Sequence, residues 1–184
     1  MMRPRMRFAL FFVSLFFLFV ANGAAQKRDP LNEKEVDEMR ESADWPDKRL
    51  ELMVKFSRDR MTKIDQLRAD KTAKDRPSQI HDLLEDFTTL LDEIEDNIEM
   101  YASHKTDMRK GLTLLIEATS EWQAQLHRLK SQSPPEELDQ YTFALTNATE
   151  AVSDTADDGR EELQKQNELA KEKKLNKVYS ERRD

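Results

Sequence analysis

The sequence predicts an all-α protein, an elongated antiparallel helical bundle. Apolar residues recur at spacings of three and four over long stretches, which is the period of one face of an α-helix. Glycine occurs three times in 184 residues, and charged residues make up 36% of the chain. Scarce glycine and an aromatic content of 8% argue against a β-sandwich and against a Rossmann-like enzyme.

The first 25 residues have the three parts of a secretory signal peptide. Arg3, Arg5 and Arg7 precede an apolar run over 8–20, and small residues follow up to Ala25. A bilayer-spanning helix needs about 20 apolar residues, so we expect cleavage after Ala25 and no stable membrane span afterwards. These features predict a signal peptide at 1–25 and a periplasmic or secreted protein.

The sequence contains no cysteine, which limits the covalent, catalytic and metal-binding chemistry that the protein can use. It removes disulfides, thiol catalysis and cysteine-based zinc sites together. Small secreted eukaryotic domains tend to be rich in disulfides, so an exported chain without any is more typical of a bacterial envelope.

Prolines mark the starts of the predicted helices, because a missing N–H costs nothing in a first helical turn. They indicate a short helix near 31–43, helix A near 46–74, helix B from 78 to about 132 and helix C from 135 to about 170. Ser133 and Glu136 have the spacing of a capping box before helix C. We expect one bundle domain over 26–170, followed by a charged, frayed or disordered tail at 171–184.

Helix B is predicted as the long central helix of three. Its apolar stripe runs from Ile80 to Leu129 in spacings of three and four, and only Lys105 and Thr119 interrupt it. Because the phase does not reset, we expect one continuous helix, bent near Lys105. The alternative is an up-down four-helix bundle with a turn near 103–107.

The net charge alternates in sign along the chain. It is +4 for 46–76, -8 for 77–104, +2 for 105–132 and -8 for 133–163. Exposed ion pairs contribute only about 0–1 kcal/mol each, so the alternation selects helix pairing more than it stabilises the fold. We expect helix A to lie antiparallel to the first half of helix B, and the second half of helix B to lie against helix C.

Two features invite a metal or haem interpretation. The run from Asp82 to Glu99 holds eight carboxylates and no basic residue, but no Glu-x-x-His motif of a di-iron bundle accompanies it. His81 lies one turn from Glu85, and His104 lies one turn from Met100. We expect a solvated acidic face and ordinary histidines, with no metal and no cofactor; weak divalent-cation binding is the alternative.

No catalytic motif is present, so we predict no catalytic residues and no enzyme. The formal net charge of -7 becomes -10 without residues 1–25, which disfavours nucleic acid as a partner. Trp122 continues the stripe of helix B and is predicted to be core. Trp45 precedes Pro46, and we expect its ring to pack back on the helix as a staple; a ligand-binding aromatic is the alternative.

These observations predict an exported, non-enzymatic helical protein. Its expected role is that of a protein–protein interaction or scaffold module for one or more envelope proteins, and self-association stays open. One alternative is a periplasmic holdase-type chaperone, although the Leu-Thr-x-x-Gln signature of helical periplasmic chaperones is not found. The other alternative is a metal- or haem-binding helical bundle.

Overall fold

The computed structural model describes residues 28–181, with side chains described up to residue 176, and this part of the chain contains helices and no strand. The predicted all-α class is confirmed. The predicted signal peptide at 1–25 lies outside the described residues. The elements in chain order are α1 (Glu33–Glu41), α2 (Pro46–Ala69), α3 (Arg76–Ser103), α4 (Arg109–Gln132) and α5 (Pro135–Glu181).

The prolines stand at helix starts, as predicted. Pro46 is the first residue of α2 and Pro135 is the first residue of α5. The predicted capping box at Ser133 is wrong, because its hydroxyl donates to the Leu129 carbonyl at 2.6 Å and so ends α4. A capping box occurs instead at α1, between Asn32 and Glu35.

Helix B is two helices, so the prediction of one continuous helix is wrong and the four-helix alternative is correct. Lys105 has a φ of 55°, in the left-handed region. The Thr106 N–H donates to the Tyr101 carbonyl at 3.0 Å, and the Lys105 N–H donates to the Ala102 carbonyl at 2.9 Å. This pair of hydrogen bonds is the Schellman ending of a helix, formed here without glycine.

The turn between α3 and α4 is held by a residue of α5. The side-chain amide of Gln166 donates to the Thr106 carbonyl at 3.1 Å and accepts from the Met108 N–H at 3.0 Å. Met108 is fully buried, so the apolar stripe continues through the turn without a change of phase. Periodicity alone therefore could not reveal the break.

The four long helices form a ring in which α2 neighbours α3 and α4, and α5 also neighbours α3 and α4. The predicted pairs α2 with α3 and α4 with α5 are antiparallel neighbours. The remaining two neighbouring pairs, α2 with α4 and α3 with α5, run parallel. Among the described residues α3 and α4 make no backbone contact, so the turn at 104–108 crosses a diagonal of the bundle.

The core fills the centre of this ring. Phe87 of α3 and Trp122 of α4 meet edge to face across the diagonal, with ring centroids 5.3 Å apart. Both side chains are fully buried, which confirms the prediction for Trp122. Such aromatic pairs add about 0.5–1.5 kcal/mol to the free energy of burying the rings.

Helix α5 is much longer than its neighbours. We expected helix C to end near 170, but α5 continues to Glu181. Its side chains at 171–176 are all exposed, in keeping with the low apolar content of that segment. Within residues 28–181, none of the helices combines the length and the apolar character that a membrane crossing requires.

Candidate interaction surface

The most strongly charged surface lies where α3 and α5 run side by side. Helix α3 has eight acidic residues and one basic residue, and α5 up to residue 163 has nine acidic residues and one basic residue. The two helices are parallel neighbours, and carboxylates of both line the joint between them, whereas Asp82 and Asp86 of α3 pair with Arg28. We call the exposed surface of α3 and of α5 up to residue 163 the acidic face.

Two polar contacts fix the register of α3 against α5. The guanidinium of Arg76, the one basic residue of α3, pairs with the Glu137 carboxylate. Nearer the centre, the buried Thr155 hydroxyl donates to Glu95 Oε1 at 2.6 Å. Arg76 is the first residue of α3. The carboxylates in the later turns of α3 therefore have no basic residue of their own helix nearby.

Glu95 is a half-buried carboxyl at this joint. Burial raises the pKa of its carboxyl above the ordinary value, the hydrogen bond from Thr155 opposes that shift, and the negative charges of Asp158, Asp92 and Asp154 raise it further. Neighbouring negative charges disfavour the ionised form of a carboxyl group. The Glu95 carboxyl is therefore harder to ionise than an exposed glutamate.

A groove of about 500 Å³ follows the joint between the two helices. Its lining includes six carboxylates and one ammonium group, together with the apolar side chains of Ile98 and Ala102. The charged residues that line it are Glu95, Asp96, Glu99, Asp158, Glu161, Glu162 and Lys165. Lys165 is already paired with Glu161 at 2.8 Å, so the remaining carboxylates give the groove its charge.

The opposite side of the bundle has the opposite character. Helix α2 has seven basic and four acidic residues, and α4 has four basic and two acidic residues. These two helices are also parallel neighbours, joined by the ion pair between Arg58 and Glu121 at 3.1 Å. The molecule thus has one acidic and one weakly basic side.

His81 belongs to a second group of titratable side chains. Ligand atoms of His81, Asp82 and Glu85 all lie within 4.8 Å of one another. However, an Asp82 carboxylate oxygen lies 3.7 Å from Nδ1 of His81, while a Glu85 carboxylate oxygen lies 3.8 Å from Nε2. The two carboxylates thus lie next to different nitrogens of the imidazole ring. Arg28 also pairs with Asp82 at 3.2 Å. The two carboxylates therefore approach the ring from opposite sides and do not converge on one nitrogen, as ligands of a shared metal ion would.

The other two histidines are exposed and lie apart from His81. His104 ends α3, where its Nδ1 lies 2.7 Å from the Met100 carbonyl oxygen. His127 is exposed on α4. The second ligand pair considered from sequence, Met100 with His104, therefore meets through the backbone carbonyl and not through the thioether.

Trp45 is 68% exposed, so the predicted staple is wrong. Its N–H donates to the Ser42 carbonyl at 2.9 Å and its carbonyl accepts from Arg49 N–H at 2.8 Å, which fixes the backbone on both sides. The ring stands at the rim of a cleft of about 340 Å³ between α1 and α2. An exposed tryptophan on a well-defined backbone is a typical contact residue of protein interfaces.

The comparisons with known proteins add no family to this description. No family model matches the chain, and neither a curated protein nor a solved structure matches it.

Proposed function

We propose that the protein is an exported binding module whose acidic face receives a basic segment of another envelope protein. The observation that carries this proposal is the segregation of charge: the two strongly acidic helices are parallel neighbours, while the two basic helices lie on the other side. A ring in which successive helices were neighbours would instead place a basic helix on either side of each acidic one.

This arrangement has a cost in stability. Like charges along two adjacent helices repel, and at Glu95 the charges of Asp158, Asp92 and Asp154 add to burial in raising the pKa. A concentrated field of one sign attracts a partner of the opposite sign and accelerates association. A lysine- or arginine-rich segment would neutralise the face and relieve the repulsion, whereas nucleic acid, being anionic, would be repelled.

The two alternative functions have less support. A holdase-type chaperone needs broad apolar surface for unfolded clients, whereas the large exposed apolar side chains of the acidic face, among the described residues, are Met100 and Phe143. A haem-binding bundle needs a ligand that reaches the core, and His81, the least exposed of the three histidines, retains 35% of its side-chain exposure. A binding role for the acidic face agrees best with the described residues.

The test compares two triple variants in cross-linking experiments with envelope extracts. The first variant, Asp96→Asn with Glu99→Gln and Asp158→Asn, neutralises three exposed carboxylates of the groove. We expect it to lose a defined partner that the unmodified chain retains, and we expect the affinity of the purified pair to fall with rising salt.

The matched control removes the same amount of charge elsewhere. Glu33→Gln with Glu51→Gln and Glu117→Gln changes three exposed carboxylates that lie off the acidic face. The control should retain the partner. Loss of the partner in both variants, or in neither, would overturn the assignment of the binding surface to α3 and α5.

A further inference from the structure

Helix α5 continues past the turn that ends the bundle. Gln166 is its last residue with hydrogen bonds to that turn. We call residues 167–181 the α5 arm; at 1.5 Å per residue the arm is about 22 Å long. In the arm, the side chains at 167–169 and 171–176 are exposed, and Ala170 is half-buried.

The arm differs in charge from the rest of α5. Lys171, Lys173 and Lys174 follow one another within one turn, and none of them has an ion pair with a side chain of the described residues. Lys171 and Lys174 are three residues apart and therefore share one side of the helix. Leu169 and Leu175 are 50% and 56% exposed. Because Glu168 and Glu172 lie among these lysines, residues 167–176 carry a net charge of +1 together with this apolar surface.

A complementary surface lies at the same end of the bundle. We call Glu41, Asp44 and Trp45 the Trp45 corner; all three side chains are exposed, and neither carboxylate has an ion pair within the described chain. The corner follows α1, whose buried Glu35 is paired with Arg60 of α2. The Trp45 corner therefore presents two negative charges and an indole ring next to a helix that is held in place. Lysine side chains can bind such a surface through ion pairs and cation–π contacts.

The arm and the corner of one molecule are poorly placed to meet. Within the described residues α2 and α5 make no backbone contact, because they lie on a diagonal of the ring. The arm continues the direction of α5, away from the bundle. A second copy turned end to end about a two-fold axis would place each arm beside the corner of the other copy, and both contacts would form at once.

We infer that the protein forms a two-fold symmetric, end-to-end dimer in which the α5 arm of each copy docks on the Trp45 corner of the other. Opposite charges on arm and corner support this pairing. Burial of the exposed indole and of Leu169 and Leu175 would add apolar contact. This contact lies at the end of the bundle, beside the groove of the acidic face, whose lining extends to Ser103 and Lys165.

The test uses two charge-reversal variants of the exported chain. Lys171→Glu with Lys174→Glu reverses the arm, and Glu41→Lys with Asp44→Lys reverses the corner. Sedimentation velocity should show a dimer for the unmodified chain and at least about tenfold weaker association for each variant alone. An equimolar mixture of the two variants should recover the dimer, because each heterodimer contact again joins opposite charges.

Quenching by acrylamide gives a second measurement. Trp45 is exposed while Trp122 is fully buried, so quenching of tryptophan fluorescence reports mainly on Trp45. It should decrease over the same range of protein concentration in which the dimer forms. The matched control, Lys71→Glu with Lys74→Glu, reverses two exposed lysines at the opposite end and should dimerise like the unmodified chain.

Any of four results would overturn the inference. The first is a monomer at every protein concentration. The second is a dimer that both reversal variants retain, and the third is a mixture that does not recover the dimer lost by each variant. If Asp96→Asn with Glu99→Gln and Asp158→Asn abolished the dimer while the corner reversal left it intact, the arm would dock on the acidic face instead, and the corner would be excluded.

Discussion

Arg60 of α2 and Glu35 of α1 form a buried ion pair, in which Nη2 lies 2.7 Å from Oε2. Their residues are 4% and 7% exposed. The Pro30 carbonyl accepts a further hydrogen bond from the same guanidinium. Because α1 contacts no long helix other than α2 among the described residues, it is attached to the bundle by this pair, by the Lys55–Glu38 ion pair and by the hydrogen bond from Arg49 to the Met39 carbonyl.

The first prediction concerns this pair. Glu35→Gln removes the charge that compensates Arg60, and loss of one partner of a buried pair typically costs about 3–5 kcal/mol. We expect α1 to detach locally, so that hydrogen exchange accelerates in α1 more than in α3. Glu33→Gln, an exposed change in the same turn, should alter stability by less than about 0.5 kcal/mol. Equal exchange rates in the two variants would contradict the assigned role.

The second prediction is a difference in pH dependence between two carboxyls. Burial raises the pKa of Glu35, but hydrogen bonds from Arg60 and from the Asn32 N–H outweigh it, and the pKa lies below its ordinary value of 4.5. The ionised Glu35 carboxylate therefore stabilises the fold above pH 4.5. This stabilisation is lost as the pH falls through the lowered pKa of the folded state. In thermal unfolding experiments, the Glu35→Gln variant should therefore not show this loss of stability at acidic pH.

Glu95 should behave in the opposite sense, since burial and neighbouring carboxylates raise its pKa. Stability is then lost as the pH rises from 4.5 through the raised, folded-state pKa. Glu95→Gln should be more stable than the unmodified chain at neutral pH, by up to about 1 kcal/mol, and the difference should vanish in acid. Glu93→Gln, exposed on the same helix, serves as control. A destabilised Glu95→Gln protein at neutral pH would show that the ionised carboxylate is favourable there.

The third prediction uses the two glycines of the helices. A Cβ at Gly111 would lie 2.9 Å from Leu50 Cβ and Cδ1, at the close approach of α4 to α2. We expect Gly111→Ala to destabilise the protein by about 1–3 kcal/mol in denaturant titrations. At Gly159 the nearest atoms would be 3.5 Å and 3.6 Å away, which is ordinary contact. Gly159→Ala should therefore stabilise by about 0.5–1 kcal/mol, and the same sign for both variants would contradict the described packing.

The fourth prediction tests the order of helices around the ring. The chain has no cysteine, so pairs can be introduced without interference. Arg58→Cys with Glu121→Cys replaces an ion pair between α2 and α4, and a short bifunctional maleimide should join the two thiols readily. Glu93→Cys with Glu117→Cys, on the diagonal helices α3 and α4, should react poorly. The reverse outcome would indicate a ring in which successive helices are neighbours.

Helix class and core positions were determined by the sequence itself. Prolines marked the starts of α2 and α5, and the apolar stripe from Ile80 to Leu129 named most of the buried residues of α3 and α4. These signals are local, because a first helical turn tolerates proline and an amphipathic period reports which face is buried.

The break between α3 and α4 was decided by tertiary structure. Lys105 ends α3 in a left-handed conformation that sequence reasoning assigns to glycine or asparagine. The hydrogen bonds of Gln166, about 60 residues away, hold the turn. Nothing near Lys105 in the sequence could report a contact with so distant a residue.

The acidic face was likewise a property of the assembled ring. The alternating charge blocks predicted the antiparallel pairs α2 with α3 and α4 with α5, which the structure contains. They did not reveal that the turn at 104–108 crosses the diagonal, which places α3 beside α5. Each helix needs only an apolar stripe toward the centre, so several ring orders bury the same residues, and the close approach at Gly111 together with the contacts of Thr155 and Gln166 selects one of them.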